Sequence, residues 1–124
     1  MARTALDLTP EEWKQYTIPK RVVTPEVRAR WERAWMLIPE LVTLLREEFG
    51  ATEVKVFGSA INVEYFWPDS DIDLAAWGIP PGSYYRAAGT VDEYSDEFRV
   101  DLVDPEKCRP GLRKAIDREG ISIE

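Results

Sequence analysis

Residues 56–78 read VFGSAINVEYFWPDSDIDLAAWG, and the reading of this stretch decides the fold. An apolar run, Val54 to Phe57, ends abruptly at Gly58-Ser59. Further on, Asp71-Ile72-Asp73 opens a second apolar run that continues to Trp77. Both runs have strand character, being short, apolar and bounded by turn residues. In a strand, residues two apart point to the same face. Asp71 and Asp73 therefore aim together, with Ile72 and Leu74 on the opposite side. A carboxylate at the start of a buried strand loses hydration, which is costly unless it is protonated, paired or bound to a cation.

A third apolar run, FRVDLV (98–103), repeats the motif with one acid. Val100 and Leu102 share a face and Asp101 takes the other. If the second and third strands are neighbours, Asp71, Asp73 and Asp101 converge at one rim of a sheet. Three close anions call for a cation. All-oxygen donors suit Mg²⁺, which is usually held by one or two carboxylates together with phosphate oxygens. Gly58-Ser59 provides a place for phosphate: the glycine allows close backbone approach, Ser59 adds a hydroxyl, and a helix beginning there would present N–H groups. Asp104 competes for the third-ligand role, but it has the wrong parity and precedes Pro105, so it reads as the start of a turn. Asp69, Asp71 and Asp73 also resemble the start of a calcium loop, but that loop needs glycine at its sixth position, where this chain has Leu74.

The rest of the chain supplies the frame. Thr9-Pro10-Glu11-Glu12 has the cap, first-turn proline and capping-box acid of a short helix reaching about Tyr16, and residues 17–23 read as a linker. Thr24-Pro25-Glu26 repeats the start signal. Val27, Trp31, Ala34, Ile38, Leu41, Val42, Leu45 and Phe49 then follow at helical spacing up to Gly50. Pro39 lies within this stripe without changing its phase, so a kink is expected there rather than a break. Strands are expected over 53–57, 72–77 and 98–103. Pro80-Pro81-Gly82 is a turn, and residues 83–94 form a helix weakened by Gly89 and Thr90. A last helix covers 110–119 and a small edge strand 121–123. The fold class is α/β (α+β), a small mixed β-sheet flanked by helices. Residues 1–23 form an N-terminal helical extension and linker, and 24–124 the main domain.

Composition narrows the chemistry. With 124 residues, the chain is the size of one ordinary domain. The formal net charge is −7, without the basic footprint of a polynucleotide binder, so a long nucleic-acid partner is not expected, while a mononucleotide carried with metal ions or a basic protein partner fits. The chain has no histidine, which removes Ser-His-Asp catalysis and His-ligated zinc. The single cysteine, Cys108, excludes an internal disulfide and fits a reducing compartment. No run approaches a membrane span and the N-terminus lacks a signal-peptide core, so a cytoplasmic protein is expected. Tyr65-Phe66-Trp67 read as core or partner surface, and the Trp31/Trp35 face as core.

Gly-Ser, a gap, Asp-x-Asp at a strand and a lone Asp in a later strand together resemble the nucleotidyltransferase superfamily related to DNA polymerase beta. The short chain and the SDIDL form (70–74) resemble its minimal nucleotidyltransferases (MNT), many of them paired with an all-helical HEPN toxin. The specific likeness runs from Phe49 to Val103. The resemblance implies a nucleotidyltransferase fold in which Asp71 and Asp73 hold Mg²⁺. Asp101 would bind the catalytic ion and help activate a hydroxyl, while Gly58 and Ser59 would hold a nucleoside triphosphate. It further implies transfer of NMP, AMP from ATP in the leading case, to a hydroxyl on a HEPN-domain partner, the chain acting as antitoxin (HEPN/MNT type, AMPylation). The alternative is a nucleotidyltransferase-fold binding module that neutralises its partner by contact. One departure from the family pattern stands out: no Lys or Arg occurs between Gly58 and Tyr85. The triphosphate would have to be met by metal alone, or by Lys55, Arg86 or Arg99 arriving from elsewhere.

Overall fold

The computed structural model describes residues 22–124. The expected first helix and most of the linker lie outside the described residues. The apolar stripe becomes one helix, α1 (Pro25–Phe49). Thr24 caps it by accepting from the N–H of Val27 at 3.1 Å, and Pro25 occupies its first turn. Gly50 ends it at φ 77°, a left-handed conformation that glycine adopts without steric cost. The helix is unbroken at Pro39, which lies on its exposed side, where water can take the place of the missing donor.

The sheet contains β1 (Glu53–Phe57), β2 (Ile72–Trp77), β3 (Val100–Val103) and β4 (Ile121–Ile123). Its order is β3-β2-β1-β4. β1 is antiparallel to both β2 and β4, while β2 and β3 run parallel. That parallel pair needs a crossover, supplied by α2 (Tyr84–Asp92) after a short 3₁₀ turn at Pro81–Ser83. α3 (Pro110–Glu119) leads into β4. The third strand is shorter than the sequence suggests. Phe98 and Val100 give their N–H groups to side chains, Ser95 Oγ at 3.4 Å and Asp92 Oδ1 at 2.9 Å, outside the ladder.

The two sheet faces carry separate cores. Val54, Val56, Ile72, Leu74, Ala76 and Val100 face α1 and the Ala87/Val91 side of α2. Phe57 and Ala75 face the other way and pack on Ile116 of α3, flanked by Trp77, Val103 and Leu112. The result is a three-layer α/β arrangement. Because side chains alternate, Asp73 and Asp101 belong to the α3 face, while Ile72, Leu74 and Val100 beside them anchor the opposite core.

Candidate active site

The ladder places the acids. Asp73 stands opposite Phe57 on β1 and opposite Asp101 on β3, and Asp71 lies one residue before β2. Asp73 is half-buried, whereas Asp71 and Asp101 are exposed. Burial, followed by the charges of Asp101 and then Asp71, pushes the Asp73 carboxyl up to about 6. The acids thus act on one another electrically, as their convergence at one rim requires.

Gly58-Ser59 comes to the same place. Gly58 has φ +74°, and a Cβ added to it would overlap Oδ2 of Asp73 and lie 3.2 Å from its Cγ. Glycine is therefore required here both for the backbone angle and for the close approach. The expected helix start is a 3₁₀ turn, Gly58–Ile61, only four residues long. It offers N–H groups and the Ser59 hydroxyl, but not the summed dipole of a longer helix.

Side chains of α1 hold both segments that carry the site. Trp31 and Trp35 each donate an indole N–H to the carbonyl oxygen of Ala60, both at 2.8 Å. Arg30 donates to the carbonyls of Pro68 at 2.7 Å and Ser70 at 2.9 Å, just ahead of Asp71. Its guanidinium lies 4.3 Å from the centroid of the Phe98 ring and 5.6 Å from that of Phe66. The sequence places Trp31 in the core stripe and reads the Trp31/Trp35 face as core; their polar role was signalled only by the need of indole N–H groups for acceptors. Nothing in the local sequence pointed to Arg30. Of the aromatic cluster, Phe66 is core, while Tyr65 and Trp67 remain partly exposed. Asp104 forms the expected turn, accepting from the N–H of Glu106 at 3.0 Å.

Along the outer edge of β3 a cleft of about 600 Å³ opens between the strand and α2, lined by Asp71, Asp101, Arg99, Asp92, Tyr85 and Gly89 among others. Of the three candidate cations, only Arg99 reaches it. Lys55 rests over Trp77, 5.6 Å from the ring centroid. Arg86 lies over Phe49, 5.3 Å from its centroid.

Among the described residues, no three acids are gathered into a ready-made cation cage. The donor set still fits Mg²⁺. Hard carboxylate oxygens share one rim, Asp73 is driven towards protonation by burial and then by its acidic neighbours, and the missing Cβ at Gly58 lets the Asp73 carboxylate lie directly against the turn. Mg²⁺ commonly completes its shell with water and substrate phosphate rather than with protein alone.

Fold and site geometry define a nucleotidyltransferase-like α/β fold with an acidic rim beside a Gly-Ser turn. No family model and no curated protein matches the chain significantly. Solved structures do. A chain of the MntA–HepT toxin–antitoxin crystal structure is 21% identical with TM-score 0.55, over 71% of this chain and 69% of that one. A toxin–antitoxin structure with AMP-PNP gives 23% identity and TM-score 0.58, over 68% of this chain and 69% of that one. A variant of the MntA pair, in which two aspartates two positions apart are replaced by glutamate, gives 20% and 0.57, over 68% and 69%. At these identities the shared property is the fold.

Proposed function

We propose that the chain is an Mg²⁺-dependent nucleotidyltransferase that moves NMP, AMP from ATP in the first instance, to a hydroxyl on a partner protein and so acts as an antitoxin. The observation that carries this reading is the meeting of Asp73, Asp101 and the Gly58 backbone at one rim, with Asp71 beside them. The neighbour with AMP-PNP and the doubly substituted aspartate neighbour support it. The partner in this reading is a HEPN-type toxin, in keeping with the MntA–HepT neighbours.

Asp71, Asp73 and Asp101 would hold Mg²⁺, which supplies charge neutralisation for the attacking and leaving oxygens of an in-line transfer. The Gly58–Ile61 turn and Ser59 orient the triphosphate. Asp101, exposed and lining the cleft, receives the proton of the acceptor hydroxyl. The hydroxyl oxygen bonds to the α-phosphorus, the bond to the β-phosphate breaks, and pyrophosphate leaves.

A second reading, a binding module that acts by contact, is favoured by the lack of Lys or Arg between Gly58 and Tyr85. One assay separates the two. The chain is incubated with labelled ATP, Mg²⁺ and the product of the neighbouring gene, beside an Asp71→Asn/Asp73→Asn double variant. Label on the partner with wild type alone supports transfer. No label, with partner binding kept by the variant, supports the module.

A further inference from the structure

We infer that Arg99 is the triphosphate-binding cation of this site, held ready by Asp92 and standing in for the basic residue missing after Gly58-Ser59. The inference rests on the nucleotidyltransferase reading above and assigns it a residue. Arg99 directly precedes β3, and its carbonyl accepts from the N–H of Ile72 at 3.0 Å, so it stands beside Asp71 as Asp101 stands beside Asp73. By strand parity it belongs to the same face as those acids. Its side chain lines the cleft with Asp71 and Asp101, and Lys55 and Arg86 do not.

The guanidinium is already oriented. Nε and Nη2 donate to the two oxygens of Asp92, each at 2.8 Å. Asp92 also accepts from the N–H of Val100, which fixes the pair to the start of β3. Among the described residues Nη1 has no partner, and the side chain is 77% exposed. An exposed ion pair is weak, and a polyphosphate offers the same planar fork more negative charge. The guanidinium carries its charge throughout the physiological pH range. Arg99 thus supplies positive charge within an otherwise acidic cleft, beside the rim where the phosphates must lie.

The test is calorimetric binding of ATP and of AMP, each with Mg²⁺, to the full chain. Arg99→Gln is expected to weaken ATP on the order of tenfold to a hundredfold while leaving AMP little changed, and Arg99→Lys to recover part of the loss. Asp92→Asn keeps an acceptor for the Val100 N–H but releases the guanidinium, and is expected to bind ATP several-fold tighter. Equal weakening of ATP and AMP by Arg99→Gln would mean a structural role and overturn the inference. So would ATP affinity unchanged in Arg99→Gln; ATP no tighter in Asp92→Asn would overturn the latch. Wild type that binds no ATP would instead overturn the nucleotidyltransferase reading itself.

Discussion

Asp73 carries the tension of the molecule at the scale of single residues. Its carboxyl, at about 6 against an ordinary 3.8, binds its proton more tightly folded than unfolded. Stability from this group is therefore greatest at low pH and falls as pH rises from about 4 to about 6. Asp73→Asn is expected to stabilise the metal-free protein at pH 7 by about 1–2 kcal/mol, after allowance for the solvent that still reaches the group. The gain should vanish below about pH 4, as urea titrations at several pH values would show. Wild type should gain thermal stability on adding Mg²⁺, more at pH 7.5 than at pH 5 where protons compete, and the variant should lose most of that response. Gly58→Ala meets Asp73 Oδ2 and an unfavourable φ together. It should cost about 2 kcal/mol or more in urea unfolding.

Elements decide whether these residues meet. β2 lies between β1 and β3, so one register fixes the distance from Asp73 to Gly58 and to Asp101 at once. α1 then anchors the irregular backbone between strands, through Trp31 and Trp35 on Ala60 and Arg30 on Pro68 and Ser70. Trp31→Phe/Trp35→Phe leaves the fully buried Ala60 residue without these two donors and should cost about 1–3 kcal/mol in urea unfolding. It should also weaken ATP binding by more than a core substitution of equal cost, such as Leu41→Val. Much of this scaffold was legible in the sequence. Alternation in DIDL and VDLV put Asp73 and Asp101 on the face opposite Ile72, Leu74, Val100 and Leu102, and the stripe of α1 gave the helix from Pro25 to Phe49. What stayed hidden was long-range. Arg30 meets Ser70 forty positions away, and Asp92 meets Arg99 across the end of a helix. Neither leaves a periodic trace. The helix expected at Gly58 proved a four-residue 3₁₀ turn, which ends where Asn62 takes an extended conformation.

At the scale of the whole molecule, three acids, Asp71, Asp73 and Asp101, come together at one rim of the sheet. Formal net charge is −7, and the cleft beside β3 is mainly acidic apart from Arg99. A basic partner approaching that rim would be attracted by its negative field, and its association should slow steeply with salt. Stopped-flow binding at two ionic strengths measures this. Among the described residues no helix is long and apolar enough to cross a membrane. The central claim is that Asp71, Asp73 and Asp101 share a divalent cation beside the Gly58 turn. Crystals grown with Mn²⁺ and a non-hydrolysable ATP analogue test it most directly, through the anomalous signal of the metal. The account predicts a peak between these three carboxylates with the triphosphate against Gly58-Ser59. A metal bound elsewhere, or a nucleotide seated away from that rim, would contradict it.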